Sequence, residues 1–115
     1  DSWNQLGSTI YGRAANDQFG HSTSLSNNGE LVAATSILND EFESDSGILQ
    51  VFRYFDNDWI QVSENIYGES PQEFMGLSVS LNLSGHTVAV SSFGRNNIDT
   101  SIQSGFGITK VYELI

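Results

Sequence analysis

The chain repeats itself. Trp3-Asn4-Gln5 returns as Trp59-Ile60-Gln61, and Ile10-Tyr11-Gly12 as Ile66-Tyr67-Gly68. Gly20-His21-Ser22-Thr23-Ser24-Leu25 returns as Gly76-Leu77-Ser78-Val79-Ser80-Leu81, Gly29 as Gly85, and Val32-Ala33 as Val88-Ala89. The offset is 56 residues throughout. Laid on 59–92 without a gap, residues 3–36 give 13 identities in 34 positions, where chance supplies about two. Gly47-Ile48 and Val51-Phe52 then match Gly107-Ile108 and Val111-Tyr112 at an offset of 60, so the second copy carries four extra residues around 93–106. A chain of 115 residues is thus two copies of one unit, repeat 1 over 3–58 and repeat 2 over 59–115. Whatever fold it adopts must let the unit pack on itself.

Each unit reads as β-structure. Phe19, His21, Thr23 and Leu25 alternate with Gly20, Ser22 and Ser24, and Leu77, Val79 and Leu81 with Ser78, Ser80 and Asn82. That is a strand period with one small, polar face. Asn27-Asn28-Gly29 and Leu83-Ser84-Gly85 read as hairpin turns, with Gly or Asn supplying positive φ. The Val/Ala-rich strands 31–36 and 87–92 follow, then 48–55 and 108–114 after a polar loop. Trp3–Tyr11 and Trp59–Tyr67 complete the set. No stretch has helical periodicity, and the single Pro71 falls in a loop. Four strands in about 56 residues is the pattern of a β-propeller blade, a four-stranded antiparallel sheet. The expected fold is all-β, with two blades in one unit spanning 1–115. The small-residue strand takes the crowded inner position, and the tryptophan strand the wide outer edge.

The run Trp-x-Gln-(Leu/Val)-x-x-x-Ile-Tyr-Gly, then Phe19-Gly20 or Met75-Gly76, then Ser-x-Ser-Leu, a glycine turn and a Val-Ala strand resembles FG-GAP-type repeats. Such repeats build the propellers of integrin α subunits and of many extracellular proteins. The resemblance covers essentially the whole chain. It departs from the family where a Gly-Ala-Pro element is expected: Ala34-Thr35-Ser36 and Val90-Ser91-Ser92 stand there. Many family repeats also carry a calcium loop in the first hairpin. The corresponding Ser26–Gly29 and Asn82–Gly85 contain no carboxylate, so that site is not carried over. The resemblance implies an extracellular or cell-surface location.

Composition narrows the partners. The formal net charge is −10, from 14 acidic and four basic side chains, which argues against nucleic acid and against an anionic membrane surface. No apolar run approaches membrane-spanning length. There is no cysteine, so disulfides and thiolate chemistry are excluded. No nucleophile elbow or phosphate loop is present: Gly76-Leu77-Ser78-Val79-Ser80 misses the last glycine of the elbow and lies on a strand. Asp17 and Glu73 are repeat equivalents and read as turn caps; His21 and His86 occupy unrelated positions and make no metal pair. Asp40, Glu41, Glu43 and Asp45 are the one acidic cluster, a weak cation candidate whose spacing matches no EF-hand; it reads as a solvated loop. No cofactor is implied.

The sequence therefore points to a non-enzymatic binding, adhesion or scaffold module. The alternative is a carbohydrate-binding lectin with sites repeated between blades. Its ligand-binding residues would be Trp3, Tyr11, Trp59 and Tyr67, because a pyranose C–H face matches an aromatic surface. Two blades cannot close a ring. The expected partner is a second copy of the chain, in a cyclic homo-oligomer, most simply a trimer, in which strand 3–11 pairs beside 108–114 of the neighbour.

Overall fold

The computed structural model describes residues 1–93 and 107–115. The described chain is all-β. Strands β1 (Phe19–Leu25), β2 (Leu31–Ser36), β3 (Ile48–Phe55) and β4 (Asp58–Tyr67) form an antiparallel sheet in sequence order. Strands β5 (Ser78–Leu81), β6 (Thr87–Ser92) and β7 (Ile108–Glu113) form a second one. The hairpin registers agree once the two offsets are applied: Leu31 pairs Arg53 and Ser36 pairs Ile48, as Thr87 pairs Glu113 and Ser92 pairs Ile108. The β1–β2 and β5–β6 turns both pass through a glycine of positive φ, +76° at Gly29 and +81° at Gly85, where a side chain would be strained.

The sheets pack face to face. Ala33 and Leu49 from the first meet Val79, Val88 and Val90 from the second and Met75 just before it, all buried, with the partly buried Val51, Ile66, Leu81 and Tyr112 packed against them. Between β1 and β5, where the sheets come closest, serine hydroxyls replace apolar contact. The N–H groups of Val79 and Leu81 donate to Ser22 Oγ (3.2 Å) and Ser24 Oγ (2.9 Å). Thr35, fully buried, donates from Oγ1 to the Gly76 carbonyl at 2.8 Å and accepts from Ser22 N–H at 3.2 Å. A Cβ on Gly76 would lie 2.6 Å from Thr35 Cβ, so this crossing requires glycine. The alternation in β1 and β5 is thus used in opposite senses. In β1 the small polar face turns toward the other sheet, whereas in β5 the apolar Val79 and Leu81 do, leaving Ser78 and Ser80 outside.

One expected strand is absent. Residues 3–11 form no strand; the first sheet ends at β4, and β3 is already paired on both sides by β2 and β4. The segment lies instead by the start of β4. Ser8 N–H donates to Asp58 Oδ1 (3.0 Å), and Trp59 Nε1–H to the Leu6 carbonyl (2.9 Å). The loop 95–104 with Asp99 lies outside the described residues.

Candidate functional site

The four aromatic residues singled out in the sequence lie in different surroundings. Trp3 and Tyr11 are on the unpaired segment and are exposed. Trp59 opens β4, packs its ring on Tyr54 (centroids 5.2 Å apart) and is tied to Leu6. Tyr67 closes the same ten-residue strand. At ordinary strand rise the two ends stand roughly 25 Å apart. Trp59 and Tyr67 therefore cannot share one small-ligand site.

Tyr67 has the richer environment. Its ring stacks on the exposed Phe42, with centroids 6.0 Å apart and planes at 26°. Its hydroxyl donates to Glu41 Oε1 (3.2 Å) and accepts from Asn65 Nδ2 (3.1 Å). Asn65 Oδ1 accepts from Gln61 (2.6 Å) and from the buried Gln50 (3.3 Å), so four side chains form one relay along the edge of the first sheet. Gln61 and Asn65 can meet because the strand bulges between them at Ser63, whose φ is +64°. Gln61, Ser63, Glu64, Asn65 and Tyr67 line an open depression of about 480 Å³. Beyond Tyr67, Glu41 Oε2 accepts from Arg13 Nε and from Asn39 Nδ2. These bonds, that of Arg13 foremost, hold the Glu41 carboxyl below its usual range, and the same pairing raises Arg13. An aromatic stack beside a row of amide donors and acceptors can seat a flat, hydroxylated ring: apolar C–H groups on the π-face, hydroxyls on the amides.

The acidic loop is solvated, with Asp40 and Glu41 exposed and Asp45 half-buried, and it is also tied down by hydrogen bonds. Glu41 is occupied by Arg13, Asn39 and Tyr67. Asp40 Oδ1 accepts from the Asp45 N–H at 2.8 Å. The carbonyls of Ser44, Asp45 and Ser46 accept from Gln72, Phe74 and Met75 N–H at 2.7–2.9 Å, so the loop clasps the segment that leads into the second sheet. Partial burial, with Asp40 beside it, pushes the Asp45 carboxyl up. Glu43 is exposed, and among the described residues no three His, Asp or Glu side chains converge. Of the two paired carboxylates, Glu73 caps a turn, Oε1 accepting from Glu69 and Ser70 N–H and Oε2 from Ser92 Oγ. Asp17 accepts from Asn39 Nδ2. His21 and His86 are both exposed.

Gln50, Gln61 and Asn65 were not singled out by sequence reasoning, although a signal existed. Gln5 and Thr9 repeat the polar pair of Gln61 and Asn65 at the same four-residue spacing, too far for a regular strand and right for a bulged one. Comparison with protein-family models, with curated proteins and with solved structures finds no match for this chain.

Proposed function

We propose that the chain is a non-enzymatic binding or scaffold module of an extracellular protein, its two sheets serving as successive blades of a β-propeller. The observation that carries this reading is the agreement of the two hairpin registers under the sequence offsets. Face-to-face packing of the two sheets, closest at β1 and β5, supports it further. Blades that meet through small residues at one end and diverge at the other are how a propeller is built. Function on such a frame lies in surface sites rather than in the fold.

The lectin reading has its own observation, the stacked Phe42–Tyr67 pair beside the Gln61–Asn65 relay. A glycan array probed with the labelled protein tests both. Binding abolished by Tyr67→Ala, with unchanged melting, assigns the module to sugars and the site to β4. An array without signal, together with a protein ligand, assigns it to protein adhesion. Hydrolysis or transfer of any bound glycan would overturn the non-enzymatic reading.

A further inference from the structure

The contact between the two sheets is a template, and each of its halves occurs a second time, on the far side of the other sheet. The side of the second sheet turned away from the first carries Ser78, Ser80, Ala89, Ser91, Thr109 and Val111. These are the repeat equivalents of Ser22, Ser24, Ala33, Thr35, Leu49 and Val51, the residues with which the first sheet grips the second. The opposite side of the first sheet carries Phe19, Thr23, Leu25, Val32 and Phe52, the equivalents of Met75, Val79, Leu81, Val88 and Tyr112; Thr23 and Leu25 are exposed, whereas Phe52 is already buried, edge-on to Phe19. Leu25 and Val111 are 58% and 65% exposed. The close crossing is duplicated as well. Gly20 has φ +87° with no atom within 4 Å of a Cβ built on it, while its equivalent Gly76 is pressed by Thr35.

The segment 3–11 belongs to the same pattern. Among the described residues it pairs with no strand, yet it already has the shape of β4. Gly7 has φ +67° where the β4 bulge at Ser63 has +64°. Gln5 Nε2 donates to Thr9 Oγ1 (3.2 Å) across that bend, as Gln61 donates to Asn65 across the other. Among the described residues β7 is paired by β6 and by no strand on its other side, which is where such a segment fits.

We infer that the open side of the second sheet is a docking surface for the first sheet of a second copy of this chain. This deepens the module reading, on which it rests. Residues 3–11 of the incoming copy add as a fourth strand beside β7. The β3–β4 register, carried over, places Tyr11 opposite Ile108, Leu6 opposite Val111 and Trp3 opposite Leu114. Ser78 and Ser80 Oγ accept from the N–H groups of Thr23 and Leu25 of the incoming copy, and Ser91 Oγ donates to its Gly20 carbonyl. A second copy is the occupant the residues favour, since each position of the template contact recurs, with Thr109 and Thr23 standing where the template has Leu49 and Val79. The contact is heterologous and closes when the rotation per chain divides the circle; three chains complete a six-bladed ring.

Light scattering at micromolar concentration tests this on the 115-residue chain. The wild type is expected as one closed species of three chains; a species of four would keep the interface and enlarge the ring. Leu25→Arg blocks one surface and Val111→Arg the other, both at exposed positions. Each variant alone should be monomeric. Mixed in equal amounts they should give a pair of chains and nothing larger, because one free surface of each kind remains. That rescue also shows that both variants fold. A monomeric wild type, a single variant that keeps the wild-type mass, or a mixture without pairs would overturn the interface. A monomeric wild type that bound a glycan or protein would overturn the ring and leave the module reading standing; a ring that binds nothing would do the reverse.

Discussion

Replacing Thr35 by valine tests the seam between the sheets most directly. The side chain is fully buried, and valine nearly matches it in volume, so the substitution opens no cavity. What it removes is the hydroxyl. The buried Gly76 carbonyl loses its partner at 2.8 Å, and Ser22 N–H loses one at 3.2 Å. A buried backbone group left unpaired costs about 1–3 kcal/mol. Ser22 is half-buried and can turn to water, so most of the loss falls on Gly76. We expect Thr35→Val to cost about 2 kcal/mol in urea unfolding, a large share of the roughly 5–15 kcal/mol that holds a domain together. Thr35→Ser is the control. It keeps the hydroxyl, gives up one buried methyl at about 0.8 kcal/mol, and installs the residue found at the equivalent Ser91. Amide exchange adds location: the Val79 and Leu81 N–H groups, which donate across the seam, should exchange faster in the valine variant than those inside the β2–β3 ladder. If Thr35→Ser is as damaging as Thr35→Val, or if exchange rises evenly over both sheets, then packing and not the hydroxyl holds the seam.

Gly85→Ala should destabilise more than Gly29→Ala in the same assay. Both residues have positive φ, which costs an L-residue about 1–2 kcal/mol, but a Cβ at Gly29 meets open space, while one at Gly85 would lie 2.5 Å from Leu31 Cδ1; equal losses would refute the contact. Asp45→Asn and Glu41→Gln should move the melting temperature in opposite directions. The raised Asp45 pKa means that its charged form opposes folding at neutral pH, a penalty that disappears below the usual carboxylate range, so Asp45→Asn gains at pH 7 and gains nothing in acid. Glu41 is lowered, so its contribution is present at neutral pH and lost as the solution is acidified; Glu41→Gln should lose stability at pH 7 and converge on the wild type in acid, and parallel curves would refute both assignments. A chelator should leave the melting temperature unchanged, since Glu41 is engaged by Arg13 and the two turns carry no carboxylate; a large drop would place a cation in the 40–45 loop.

The strand pairing was legible because two copies of the unit constrain each other. An error in one hairpin register would have had to recur 56 residues on, and the glycines at 29 and 85 fix both turns. The direction in which each face points was not legible. The serine face of β1 looks inward and that of β5 outward, although the sequences of the two strands are nearly the same. Orientation is set by which neighbour a sheet has, and that is a property of position in the stack rather than of the unit. The Glu41 cluster was hidden for a related reason. Arg13, the loop with Asn39 and Glu41, and Tyr67 come from three separate parts of the chain, and the loop that carries Glu41 is in turn clasped at 44–46 by the residues at 72–75.

The clearest case of context acting on sequence is the pair Trp3–Tyr11 and Trp59–Tyr67. They share Trp, Gln, Ile and Tyr at matching positions, the same bend and the same side-chain bridge across it. One is a full strand and the other is not. Local propensity is therefore sufficient for the shape, bulge included, and insufficient for the ladder, which needs a neighbour's backbone. β4 has one because β3 immediately precedes it through a two-residue turn at Asp56-Asn57, both at positive φ. Residues 3–11 pair with no strand among the described residues; Ser8 N–H and the Leu6 carbonyl bond the Asp58 and Trp59 side chains instead. The cost of ordering the arm's bend is thus met before any neighbour arrives, and what a neighbour supplies is the ladder itself. A strand already bent for its place would lose little freedom on pairing, so in the proposed contact between chains the arm, more than the face of the second sheet, should set the strength.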